Sequence, residues 1–76
     1  MTETQLLQNV VANLKDLCGR KKLTQTELAK RAGVHYVTVN RIFRGHLQPS
    51  LTMLEKLAGG LKVHPAKLFA ELNNSS

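Results

Sequence analysis

Thr24-Gln25-Thr26-Glu27-Leu28-Ala29-Lys30-Arg31-Ala32-Gly33-Val34-His35-Tyr36-Val37-Thr38-Val39-Asn40-Arg41-Ile42-Phe43-Arg44-Gly45 decides how this chain folds. Thr24 with Glu27 three residues on has the spacing of a capping box, in which the hydroxyl and the carboxylate each take a backbone N–H. Leu28, Ala29 and Ala32 form the inner face of the short helix that follows. Gly33 stops it, because a residue without Cβ accepts the left-handed conformation of a helix end. A second helix is expected from about His35. Val39, Ile42 and Phe43 fall on one side of it, and Tyr36, Val37, Asn40, Arg41 and Arg44 on the other, before Gly45 ends it.

Working outward, the same periodicity recurs. Leu7, Val10, Val11, Leu14, Leu17 and Cys18 repeat at intervals of three and four, so a helix is expected from the Thr2–Gln5 box to about Gly19. Arg20, Lys21 and Lys22 then lie at its C-terminus, where the helix dipole favours cations. Ser50 caps a fourth helix that is expected to bury Leu51, Leu54, Leu57, Ala58 and Leu61. Pro65 suits the first turn of a fifth, carrying Leu68, Phe69 and Leu72, with Phe69, like Phe43, expected in the core. Asn73 to Ser76 reads as a frayed tail. The expected fold is all-α: five short helices in a single domain spanning 1–76.

Charge is unevenly placed. Residues 15–46 hold eight bases (Lys15, Arg20, Lys21, Lys22, Lys30, Arg31, Arg41, Arg44) against Asp16 and Glu27, whereas the three bases and three acids elsewhere cancel. The formal net charge of +6 is therefore local. A concentrated positive field suits a polyanion, although composition alone fits a solvated face as well. The single cysteine, Cys18, excludes an intrachain disulfide and points to a reducing cytoplasm. No basic and apolar leader follows Met1, and no apolar run could span a bilayer. His35 and His46 lie eleven residues apart with His64 on another element, so no metal-ligand spacing exists. With Ser50 explained as a cap, no paired carboxylates and no phosphate-cradling glycine loop, neither an enzyme nor a cofactor is expected.

Two short helices joined by a sharp glycine turn and flanked by bases satisfy the helix-turn-helix description. Small Ala29 permits close approach, Val34, Val39 and Ile42 lock the second helix onto the first, and its outer face is left to enter a major groove. The run Thr24 to Val34, then Val39-Asn40-Arg41-Ile42, Gly45, Gln48-Pro49-Ser50-Leu51 and the Val63-His64-Pro65 close with Leu68-Phe69 resembles the phage repressor and Cro (XRE-type) helix-turn-helix family. The likeness covers about 14–69. It implies a compact five-helix, lambda-repressor-like domain that binds double-stranded DNA as a homodimer on a partly palindromic operator and regulates transcription.

Carried over by position, the resemblance places base contacts at Tyr36, Val37, Asn40 and Arg41. Phosphate contacts fall at Thr24, Gln25, Thr38, Arg44, His46 and Gln48. Side-chain chemistry agrees in part: Arg41 can bond bidentately to guanine, Asn40 to adenine, and Val37 can pack on a thymine methyl. Leu47 reads equally as a loop anchor or a minor contact. A dimer surface is expected from Leu61, Val63, Leu68 and Leu72, by family likeness and small core size.

The departures from the family pattern are as informative. Where many members carry an Arg–Glu pair this chain has Cys18 and Phe43, so an apolar contact is expected in its place. Gly59 and Gly60 inside the fourth helix, Lys62 at a position that favours glycine, and His64 at a capping position together forecast a weak helix terminus. An alternative function is a protein-interaction module, such as a toxin-neutralising partner on the same scaffold.

Overall fold

The computed structural model describes residues 3–70, with side chains from Gln5 onward. Four α-helices follow one another: α1 (Glu3–Lys21), α2 (Gln25–Ala32), α3 (Tyr36–Phe43) and α4 (Leu51–Leu61). A short 3-10 segment, Pro65–Phe69, closes the described chain. The Thr2 half of the first capping box, Leu72 and the expected tail lie outside the described residues.

The core is a single apolar cluster. α1 contributes Val10, Val11, Leu14 and Cys18, α2 Leu28 and Ala29, α3 Val39, Ile42 and Phe43, and α4 Leu54, Leu57, Ala58 and Leu61. These are the stripes that the three-and-four spacing forecasts, and Leu68 of the 3-10 segment completes them. Cys18 and Phe43 both join this cluster, and burial pushes the Cys18 thiol above its ordinary pKa.

All four helices end alike. The amide of the residue beyond a left-handed position reaches back into the last turn: Leu23 N–H to Cys18 O, Val34 to Ala29, His46 to Arg41, and Val63 to Ala58, at 2.8–3.0 Å. A shorter-range bond accompanies each, as in the Schellman closure. Gly33 and Gly45 occupy two of the left-handed positions, and Lys22 and Lys62 the other two. α1 therefore runs through Gly19 and stops only at Lys22, beyond the expected end.

α4 packs along α2, and here the two adjacent glycines part ways. A Cβ on Gly60 would sit 3.0 Å from the Ala32 backbone nitrogen, whereas one on Gly59 would meet nothing within 4 Å. Gly60 is a close-approach residue between helices; Gly59 has no such reason.

Three expectations need correction. In place of the expected fifth α-helix the described residues show a 3-10 turn, Pro65–Phe69, whose end is tied to α1 through its carbonyls. Asn13, buried at 3% exposure, donates its amide to Leu68 O at 2.8 Å and to Ala70 O. Asn9 donates to Phe69 O and Ala70 O, each at 3.2 Å. Leu51 is 74% exposed and Phe69 37%, so neither is a core residue. Leu51 lies in the first turn of α4, beyond the reach of the packed layer. His64, finally, is a working cap: its Nδ1 accepts from Ala66 N–H at 3.1 Å.

Candidate nucleic-acid interface

The α2–turn–α3 unit is built by local rules. Thr24 Oγ1 accepts from Glu27 N–H at 3.1 Å, and the Glu27 carboxylate accepts from Thr24 N–H at 2.9 Å. The Thr24 backbone bond, then the hydroxyl and the nearby Arg31 and Lys30, hold the Glu27 carboxyl below its ordinary pKa. Gly33 turns the chain at φ 72° and ψ 34°. Val34 packs against the core, and His35 enters α3 in extended conformation without a side-chain cap.

α3 is sharply two-faced. Val39 and Ile42 have no exposure and Phe43 only 6%, so the helix is fixed in rotation. That fixes what the other face offers. Tyr36 is 47% and Val37 64% exposed, Arg41 is exposed, and Asn40 is half-buried beside them. Val37 therefore presents its methyl groups to solvent rather than to the core.

Around this face stand the residues expected at phosphates. Thr24 is exposed and Gln25 half-buried at the start of α2. Thr38 is half-buried, while Arg44, at the end of α3, and His46 and Gln48, in the following loop, are exposed. Leu47 packs against the core and so anchors that loop. Gln25 and Asn40 also touch each other: Asn40 Nδ2 donates to Gln25 Oε1 at 3.0 Å and lies 3.5 Å from the Tyr36 hydroxyl.

The basic surface is nearly unneutralised. Among the described residues the one ion pair joins Arg20 to Asp16, at 2.8 Å and with the Arg 74% exposed. Such a pair contributes only about 0.3–0.5 kcal/mol. Lys21, Lys22, Lys30, Arg31, Arg41 and Arg44 all face solvent. No group of three or more His, Cys, Asp or Glu able to hold a metal occurs among the described residues. No described helix is long and apolar enough to cross a membrane.

The expected dimer surface is corrected. Leu61 is 1% exposed and Leu68 fully buried, so both belong to the monomer core. Val63 is half-buried against that core, and Leu72 lies outside the described residues. Among the described residues, the large apolar side chains classed as exposed besides Tyr36 and Val37 are Leu6, Leu51 and Phe69. All three line one groove of about 200 Å³, floored by Val10 and Leu54 and reaching Gln48. Sequence periodicity missed it by assigning Leu51 and Phe69 to the core.

Comparison with known proteins agrees with this geometry. The helix-turn-helix family HTH_3 matches residues 14–68. Among solved structures, the restriction-modification controller protein C.AhdI from Aeromonas hydrophila superposes with a TM-score of 0.79 at 33% identity, covering 83% of this chain and 96% of that one. A hypothetical transcription factor, NHTF, from Neisseria gives a TM-score of 0.83 at 25% identity, covering 93% and 83% respectively. An HTH_3 family transcriptional regulator from Vibrio cholerae gives 0.84 at 26% identity, over 90% of this chain but 38% of that longer one. No curated protein sequence matches. The chain belongs to the HTH_3 helix-turn-helix family of DNA-binding transcriptional regulators.

Proposed function

We propose that this protein is a sequence-specific regulator that binds a partly palindromic operator as a homodimer, with α3 in the major groove. The observation that carries the reading is the division of α3: an inner face of buried Val39, Ile42 and Phe43, and an outer face presenting Tyr36, Val37 and Arg41 to solvent. Arg41 is assigned to a guanine edge and Val37 to a thymine methyl, with Tyr36 on the neighbouring base pair. Thr24, Gln25, Thr38, Arg44, His46 and Gln48 take the flanking phosphates, which fix register without reading sequence. No catalytic step and no cofactor enters this function, and its place of action is the cytoplasm, on DNA.

Two copies on one DNA face would set their α3 helices about 34–36 Å apart, one turn of the duplex. The groove of Leu6, Leu51 and Phe69 is the surface we assign to that pairing. It adjoins Gln48, so pairing there keeps the α3–α4 loops of both copies beside the DNA. Leu51→Asp tests it. Because Leu51 is 74% exposed, the monomer should fold normally while sedimentation shows the dimer lost. A dimer that survives the charge removes this surface from the account.

Arg41→Ala tests the readout. A bidentate contact to guanine is worth about 1–3 kcal/mol of discrimination, so the variant should lose preference at one or two base pairs and keep the rest. Full retention of operator preference would refute the assignment.

A further inference from the structure

We infer that Asn40 is a positioning residue and not an adenine reader: its side-chain amide sets which end of the Gln25 amide faces the DNA. The inference rests on the proposed docking of α3 and deepens it.

A bidentate contact to adenine uses both ends of an asparagine amide, the nitrogen giving a proton to N7 and the oxygen accepting from the N6 amino group. Asn40 has no free nitrogen for this. Its Nδ2 carries two protons. One is directed at Gln25 Oε1 at 3.0 Å, across the turn between α3 and α2. The other lies toward the Tyr36 hydroxyl at 3.5 Å, one turn back on the same helix. Gln25 is half-buried and Tyr36 is 47% exposed, so the bonds tie together side chains that solvent would otherwise leave free to rotate. Holding a glutamine in one orientation removes a rotamer entropy that would otherwise oppose binding.

The sign of the contact matters more than its strength. A glutamine amide has a donor end and an acceptor end, and only the donor end attracts a phosphate oxygen. Asn40 offers Gln25 a proton, so it selects the orientation in which Oε1 turns inward. The Gln25 nitrogen, across the same carbon, is left to donate outward at the start of α2. Rotated by half a turn, Gln25 would set its Nε2 against Asn40 Nδ2, donor against donor, and turn Oε1 toward the phosphate oxygen. Asn40 therefore sorts the dipole that the phosphate meets, and Tyr36, which accepts from Asn40, keeps its own proton for an acceptor on a base edge.

The test is a double-mutant cycle on DNA affinity. Wild type, Asn40→Ala, Gln25→Ala and the double variant are titrated against the operator recovered by selection and against all its single base-pair variants. Thermal midpoints of each variant check that the fold is kept. Asn40→Ala should weaken every duplex by about the same factor, roughly fivefold, the worth of one hydrogen bond. In the Gln25→Ala background the same substitution should add less than twofold, since residues acting as a unit are non-additive. Tyr36→Phe identifies the base pair that the hydroxyl reads, and Asn40→Ala should lose no discrimination beyond that pair. Loss of discrimination at a base pair that Tyr36→Phe leaves intact would make Asn40 a base reader and overturn the inference. So would a full, additive loss in the Gln25→Ala background. Failure of the docking itself is a separate result: Arg41→Ala would then keep the full base preference whatever the cycle gives.

Discussion

Gly59→Ala and Gly60→Ala, one methyl group on adjacent residues, should change stability in opposite directions. Each substitution removes the penalty of a glycine inside a helix, about 0.8–1 kcal/mol relative to alanine. At Gly59 that is the whole effect, because the added Cβ meets nothing within 4 Å and the site is exposed. At Gly60 the Cβ would lie 3.0 Å from the Ala32 nitrogen and 3.2 Å from both its Cα and its Cβ. Two of those atoms are backbone of α2, which is itself held by Leu28 and Ala29 in the core, so relief requires α4 to move away. Overpacking of this kind costs about 1–3 kcal/mol, which exceeds the propensity gain. For a domain of this size one kcal/mol shifts the midpoint by about 4–8 °C. Thermal unfolding followed by circular dichroism should therefore show Gly59→Ala above wild type by about that amount and Gly60→Ala below it. Equal rises in both would mean that α2 and α4 do not approach as described, and the account of Gly60 would fail.

Further expectations concern the two lysines, the capping box and the thiol. Lys62→Gly, and separately Lys22→Gly, should each raise stability by about 1 kcal/mol, since a side chain at φ 59° or 56° is strained where glycine is not; an unchanged or lower melting midpoint would refute this. Glu27 contributes through its ionised form, with a folded pKa below the ordinary one, so its contribution is complete above the usual glutamate range and lost as pH falls through the depressed value. Glu27→Gln should accordingly close its stability gap to wild type on acidification, and a gap that widens toward low pH would contradict the sign. Cys18, at 5% exposure and with its thiol pKa raised by burial, should react with a thiol reagent only as fast as the core opens, whereas labelling within mixing time would place it outside the core.

What could be read from the sequence was what local chemistry decides. The Thr24–Glu27 box, the Gly33 turn, the Ser50 cap and the inner face of α3 each depend on residues within a turn or two of one another, and the spacing alone exposes them. The features that escaped depend on which helices meet. Asn13 looks like an ordinary polar interruption of the α1 stripe, yet it is buried to hold carbonyls 55 residues away. That arrangement ties the end of the 3-10 segment to α1. Leu51 and Leu54 share a face by periodicity, but only Leu54 lies within the packed layer. Gly60 is explained by the distance between α2 and α4, which no pattern within α4 reveals. The Gln25–Asn40 bond joins residues on two helices, and each had been given a DNA contact independently because nothing in their spacing shows that they meet.

The functional residues fall along the same divide. Arg41, Val37 and Tyr36 were legible as the outer face of α3 because Val39, Ile42 and Phe43 so clearly form the inner one. The pairing surface was misread, since Leu61 and Leu68 are consumed by a core that needs them, while Leu6, Leu51 and Phe69 remain outside. In a chain of 76 residues the core must recruit nearly every available leucine, so those it leaves exposed carry more information than those it buries.

The central claim is that α3 reads bases in a two-fold site, and selection of bound sequences from a random duplex pool at physiological salt tests it most directly. The account expects a partly palindromic site with half-site centres about one helical turn apart, and a guanine position whose preference disappears with Arg41→Ala. A pool that stays random, with affinity that depends on salt but not on sequence, would contradict it.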